Sequence, residues 1–293
     1  MTSFTTTGPV AASIDVQWGD IRVVAGDDGS TVVEVTPTDP SNEKDRRAAD
    51  DTAVTCADGR LRVVGPRNRT GVFNKKYGSV QVSVLLAAAS ELDADTGLGT
   101  VTVEGRLGAC RVRSSAGDVA VQDAASADLR TGVGVVAARH IAGEAFCKTG
   151  SGAVRIDRID GRAEVKNSNG DTRIGETGGP LRVKSANGSI TVGRARADVT
   201  ATTANGNLSI RRAEGAAVEL KTSMGRIEIG IPSGTSVLLD LSTSFGTVRN
   251  ELDAADQAAA GARTVEVHAQ TSAGDIDVVR VPVDDAGGGE GSR

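Results

Sequence analysis

Two glycine-rich runs, Thr131-Gly132-Val133-Gly134 and Thr149-Gly150-Ser151-Gly152, are the first places in this sequence to look for chemistry. Closely spaced glycines let backbone amides surround a phosphate, but that cradle needs a third glycine and a helix N-terminus to aim them. Alternating apolar residues follow instead, so these runs read as corners between strands. Aspartate after a glycine, at Asp20, Asp118, Asp171 and Asp275, would suit calcium in a β-roll. Such rolls repeat about every nine residues with regular aspartates, and here they are too sparse. The two histidines, His140 and His268, are far apart and part of no H-E-x-x-H run. His140 is expected in a turn and His268 on the outward side of a strand, both solvated. Cys56, Cys110 and Cys147 are odd in number and share no metal-binding spacing. Cys110 and Cys147 fall at apolar positions and read as small buried side chains. Asp157, Asp160, Glu164 and Asp171 could serve a polysaccharide-cleaving site. However, Trp18 and Tyr77, the sugar-stacking candidates, both lie near the N-terminus. The expectation is no catalytic residue, no cofactor and no metal.

One constellation suits binding rather than catalysis. Four residues before successive corner glycines stand Arg113, Arg130, Lys148, Lys166 and Lys184, with Lys221 further on. Stacked at the interstrand distance of about 4.8 Å, they would form a basic stripe able to face a polyanion. The plainer reading is a solvated face whose repulsion is relieved by neighbours such as Glu164 and Asp128. The stripe is the candidate contact surface.

The elements that must position it are legible as columns. A small-x-Gly-x-apolar-x-apolar pattern recurs at Gly99, Gly117, Gly134, Gly152, Gly170, Gly188, Gly206, Gly225, Gly246 and Gly274. Subtracting neighbours gives steps of 18, 17, 18, 18, 18, 18, 19, 21 and 28. Weaker copies sit at Gly19, Gly59 and Gly78. Pairs such as Val154/Ile156 and Ile190/Val192 after the glycine, and Ala163/Val165 and Leu181/Val183 before it, alternate with polar residues. That is the mark of strands buried on one side. Asn169-Gly170, Asn187-Gly188 and Asn205-Gly206 supply corner residues that tolerate positive φ. A hydroxyl or amide column runs through Ser114, Thr131, Thr149, Asn167, Ser185, Thr203, Thr222, Thr243 and Thr271. A parallel β-solenoid of about 18-residue coils explains such persistence, because like stacks on like. An antiparallel meander would accept the columns without requiring them. The rule for parallel crossovers makes the solenoid right-handed.

Composition agrees. The chain has 293 residues, 37 of them Gly, and only 2% are aromatic. A core filled by Val, Ile, Leu and Ala must be thin, and the length counts coils rather than domains. The formal charge of −5 speaks against a general nucleic-acid binder. The opening residues lack the basic and apolar regions of a secretory signal. The longest apolar run, Val84 to Ala89, is far short of the roughly 20 residues that span a bilayer. A cytoplasmic location is expected. Residues 1–90 read as N-terminal β coils and an irregular cap, with a short helix over 41–53 capped by Ser41. Residues 91–282 read as the regular solenoid, residues 253–261 as an insertion and 283–293 as a flexible tail.

The runs Ser114-Ser115-Ala116-Gly117-Asp118-Val119-Ala120-Val121, Lys166-Asn167-Ser168-Asn169-Gly170-Asp171 and Thr271-Ser272-Ala273-Gly274-Asp275-Ile276 carry a resemblance. They resemble the bacterial β-strand-repeat proteins known as putative adhesins, a domain of unknown function, in particular their actinobacterial members. The resemblance spans about residues 10–282. It implies an all-β solenoid and a surface-interaction role, and it brings no catalytic residues. The expected function is a non-enzymatic, adhesin-like interaction or scaffold protein that binds another macromolecule, above all a protein, through its solenoid faces. A bactofilin-like protein polymerising end to end, and a carbohydrate-active β-helix enzyme, are the alternatives.

Overall fold

The structure is a computed structural model that describes residues 2–6, 8–26, 30–67, 78–215, 217–252 and 264–282. The chain opens with β1 (Thr2–Thr5), β2 (Ala11–Gly26), β3 (Ser30–Pro37), α1 (Glu43–Asp50), β4 (Ala53–Ala57), β5 (Arg60–Val64) and β6 (Val80–Ala87). The regular part runs through β7 (Glu91–Leu98), β8 (Val101–Ala116), β9 (Val119–Val133), β10 (Val136–Ile141), β11 (Ala145–Ser151), β12 (Val154–Ile159) and β13 (Ala163–Asn169). It continues with β14 (Thr172–Thr177), β15 (Leu181–Asn187), β16 (Ile190–Ala195), β17 (Val199–Asn205), β18 (Leu208–Ala213), β19 (Ala217–Met224) and β20 (Ile227–Pro232). The described chain closes with β21 (Ser236–Phe245), β22 (Val248–Asn250), β23 (Thr264–Ala273) and β24 (Ile276–Val281).

This is the expected all-β parallel solenoid. Each rung lays one strand on each of two faces, and rungs pair in parallel with like positions in register. On the first face β9, β11, β13, β15, β17 and β19 follow one another. On the second face β10, β12, β14, β16, β18 and β20 do the same. The core between them is one apolar layer from each face. Leu129, Cys147, Val165 and Val183 stack opposite columns such as Val154, Ile190 and Leu208, all buried. One column is broken by Thr172, which is wholly buried with a hydroxyl that has no hydrogen-bond partner.

The corners explain the glycine column. Gly152 has φ +142°, and a Cβ there would lie 2.0 Å from the carbonyl oxygen of Gly134 on the preceding rung. No other residue fits both the dihedral and the contact. At the Asn-Gly corners only the glycine takes positive φ. The asparagines do something else, and their side chains stack outside the corner. Asn187 Nδ2 donates to Asn169 Oδ1 and Asn205 Nδ2 to Asn187 Oδ1, each at 2.9 Å. The hydroxyl column has a definite task as well. Thr131 donates to the carbonyl of Gly117 and Thr149 to that of Gly134, both at 2.9 Å. Each thereby satisfies a part-buried carbonyl of the neighbouring rung.

The ends depart from simple stacking. β5 and β6 form an outer rung on β2, although they follow it in sequence, and β7 then returns to the other side of β2. This end is closed by antiparallel strands: β4 on β5, β3 on β6 and β1 on β3. The helix is shorter than the 41–53 expectation because its cap is Asn42, which accepts the amide of Lys44, and Ala53 already begins a strand. Ser41 instead bonds Asp39 through its amide and hydroxyl. Gly59 is no corner: Asp58 (φ 50°) and Gly59 (φ 70°) form the tight turn between β4 and β5. At the other end β23 and β24 insert between β19–β20 and β21–β22. The expected insertion at 253–261 and the tail at 283–293 lie outside the described residues.

Candidate binding surface

The first face positions the predicted stripe. Arg113, Arg130, Lys148, Lys166 and Lys184 are direct register partners on β8, β9, β11, β13 and β15. Asp95 precedes them and Thr202 follows. Odd–even alternation sends them outward, because the residues just before them (Val112, Leu129, Cys147, Val165, Val183) are buried.

The stripe is not uniform. Two residues earlier on each strand lies a second outward column: Arg111, Asp128, Phe146, Glu164 and Arg182. Where that neighbour is a carboxylate, the cation is paired. Arg130 bonds Asp128 at 2.7 and 3.0 Å, and Lys166 meets Glu164 at 2.8 Å. Arg113 lies 3.7 Å from Asp93 on the adjacent strand. The Lys166 hydrogen bond, with the fields of Arg182 and Lys184, holds the Glu164 carboxyl below the usual carboxylate range. Where the neighbour is Phe146 or Arg182, Lys148 and Lys184 stand without an ion pair among the described residues.

Phe146 is the residue that the sequence reading missed. Its ring projects between rungs, with the Arg130 guanidinium 4.7 Å and the Lys166 ammonium 5.3 Å from the centroid. Both distances are within cation–π range. The signal was available: Phe146 immediately precedes the inward Cys147, so parity sends it out. Beside it lies a groove of about 810 Å³ across the same face. Its small outward side chains are Ala11, Ala109 and Ser126, with Arg62, Arg111 and Phe146 around them.

The other sequence candidates do not gather there. His140 is in β10 rather than a turn, on the second face, where Nε2 lies 2.8 Å from Asp160 Oδ2 and Nδ1 3.7 Å from Asp123 Oδ1. The His140 hydrogen bond, then that of Arg158, pulls the Asp160 carboxyl down. His268 Nδ1 lies 2.7 Å from Asp240 on the outermost rung. The aspartates after corner glycines act as backbone acceptors. Asp118 takes the amide of Val135 at 2.7 Å and Asp171 that of Ser189 at 3.0 Å. Burial pushes the Cys110 and Cys147 thiols up to about 12. Among the described residues no helix is long and apolar enough to cross a membrane.

These columns and corners match one family model, Toastrack DUF4097, over residues 11–281. The chain belongs to the Toastrack DUF4097 family. Among solved structures, the Toastrack chain is similar to a protein from Parabacteroides merdae named as a putative adhesin. That likeness has 16% identity, covers 78% of this chain and 94% of that one, and has a TM-score of 0.48. A putative adhesin from Bacteroides fragilis shows 12% identity, 96% and 95% coverage and a TM-score of 0.39. A putative lipid binding protein from Parabacteroides distasonis shows 13% identity, 96% and 95% coverage and a TM-score of 0.42. No curated protein matches the Toastrack chain.

Proposed function

We propose that this Toastrack protein is a non-enzymatic binding module that docks an acidic segment of a partner protein on its first face. The observation that carries the reading is the surround of Phe146. One half-buried aromatic sits between Arg130 and Lys166, with Lys148, Arg182 and Lys184 in the neighbouring outward positions and the carboxylates Asp128, Glu164 and Glu144 beside it. The chain as a whole is acidic, at −5, so a local excess of cations on one flat face is a directed potential. Aromatic and arginine side chains are also the usual anchors of protein interfaces. The closed N-terminal end gives no support to continuous head-to-tail polymerisation.

The test is calorimetry with a polyglutamate peptide as probe. Wild-type protein should bind with an affinity that falls as salt rises, because exposed charges are screened. The triple variant Lys148→Glu, Lys166→Glu, Lys184→Glu should bind at least about tenfold more weakly with an unchanged melting temperature; such a loss is about 1.4 kcal/mol. Unchanged binding by the triple variant would overturn the assignment of the face. Stronger binding of single-stranded DNA than of polyglutamate would overturn the partner class, and turnover of acidic or neutral polysaccharides would overturn the non-enzymatic reading.

A further inference from the structure

Asn169-Gly170, Asn187-Gly188 and Asn205-Gly206 place the same reactive pair on three consecutive rungs. In an Asn-Gly pair the glycine nitrogen can lose its proton and attack the asparagine Cγ. The Cγ–Nδ2 bond then breaks, Nδ2 leaves as ammonia, and a succinimide ring remains. Water opens that ring to aspartate or isoaspartate. Glycine favours the attack because no side chain shields its nitrogen, and asparagine is accordingly a thermolabile residue. In an unfolded chain all three pairs are open to it.

The solenoid blocks each requirement of the reaction. The nucleophile is occupied: the amide of Gly170 donates to the carbonyl of Asn187 at 2.9 Å, that of Gly188 to Asn205 at 2.8 Å, and that of Gly206 to Met224 at 2.9 Å. The backbone is also wrong for ring closure. Each asparagine ends a strand, β13, β15 or β17, with extended backbone, whereas the ring needs the glycine nitrogen turned back over Cγ. The side-chain amides are tied as well. Asn187 donates to Asn169 and accepts from Asn205, so both of its polar atoms are held. In that ladder Asn169 uses its oxygen alone and Asn205 its nitrogen alone.

The corners have no place for the products either. A Cβ on Gly188 would lie 2.2 Å from the carbonyl oxygen of Gly170, which leaves no space for the extra backbone carbon of isoaspartate. Aspartate at position 187 would set a carboxylate oxygen against Asn169 Oδ1, acceptor against acceptor. Every blocking bond runs between rungs, so these bonds are lost together when the rungs part.

We infer that the stacked Asn-Gly corners are latent deamidation sites, closed by the hydrogen bonds between rungs and opened when those rungs separate. The change is one-way, since ammonia is lost and the product does not restack, so it leaves a lasting chemical record of rung opening. It depends on the corners alone and stands or falls apart from the binding role of the face around Phe146.

Peptide mapping by mass spectrometry tests it on the full chain, held in mildly alkaline buffer with and without urea. In urea the three sites should react at similar rates. In the folded protein each should react at least about tenfold more slowly, the factor set by an opening cost of about 1.4 kcal/mol, with Asn187 the slowest. Asn187→Ser cuts the ladder and leaves the glycine bonds in place; serine fits, since Ser151 holds the same position two rungs below. Asn169 and Asn205 should then react faster than in wild type and still more slowly than in urea. Equal rates in the folded and urea-unfolded chain, Asn187 as the fastest site, or no acceleration in the serine variant would each overturn the inference.

Discussion

The hydroxyl of Thr243 donates to the carbonyl of Gly274 at 2.9 Å, although the glycine lies 31 residues further along the chain. In the regular rungs the bond runs the other way, as from Thr149 back to Gly134, 15 residues earlier. The hydroxyl ladder follows the order of rungs in space rather than in sequence. It records that the last described segment was inserted beneath the one before it. The same bond type thus serves both as a staple between rungs and as a marker of the stacking order.

That staple should be measurable. Thr149 is fully buried, and Thr149→Val keeps its shape while removing the donor and leaving the Gly134 carbonyl unsatisfied. The loss should be about 1–2 kcal/mol, read by urea denaturation, and Thr149→Ser should recover most of the hydrogen-bond share. An unchanged midpoint for the valine variant would show that the ladder contributes nothing.

Gly152→Ala should cost more. The substitution forces a Cβ onto a backbone oxygen at a φ that L-residues avoid, so a loss of at least about 2 kcal/mol is expected. Gly26→Ala is the comparison, since no heavy atom lies within 4 Å of a Cβ there. Its melting temperature should be nearly that of wild type, and equal losses at both sites would contradict the corner account.

Thr172→Val should stabilise the protein. The residue sits between Val154 and Ile190 in register, wholly buried, with its hydroxyl unpartnered. Valine is nearly isosteric, and relief of an unsatisfied buried hydroxyl is worth about 1 kcal/mol or more. A fall in the denaturation midpoint would mean that the hydroxyl has a partner.

Acid should loosen the terminal rung late. Asp275 accepts the amide of Thr247 at 2.9 Å, and this bond, with Arg249 and Arg226 nearby, holds its carboxyl below the usual carboxylate range. Because the folded-state pKa is depressed, the contribution is present above the unfolded value of about 3.9 and is lost as pH falls through the folded value. A carbon-detected NMR titration should place Asp275 below free aspartate. The stability difference from Asp275→Asn should shrink on acidification, and a midpoint at or above the free value would contradict this.

Much of the rung was legible because its parts are local. Alternation around Val154 and Ile156, the corner at Gly152 and the column through Thr149 follow from side-chain parity and backbone sterics within one repeat. The alignment of Arg113, Arg130, Lys148, Lys166 and Lys184 in one outward column is legible for the same reason. So is the relief of its repulsion by Asp128 and Glu164, each two residues before the cation it pairs on the same strand, whereas the contact of Phe146 with Arg130 and Lys166 needs neighbouring strands in register. Phe146 escapes a reading that counts only Trp18 and Tyr77 as stacking platforms. His140 reads as a turn residue in sequence because the boundary of β10 depends on its register with Asp123 on β9 and Arg158 on β12. The exchanged order of the last rungs has no local signature, as β21 and β23 carry the same columns and either would fit beside β19.

The central claim is that the face around Phe146 is the contact surface, and chemical-shift mapping tests it most directly. Titration of the labelled protein with polyglutamate should shift the signals of Arg130, Phe146, Lys148, Lys166 and Lys184 together, with Phe146→Ala reducing the effect across that set. Shifts centred on the second face around His140, or no shifts up to millimolar peptide, would contradict it.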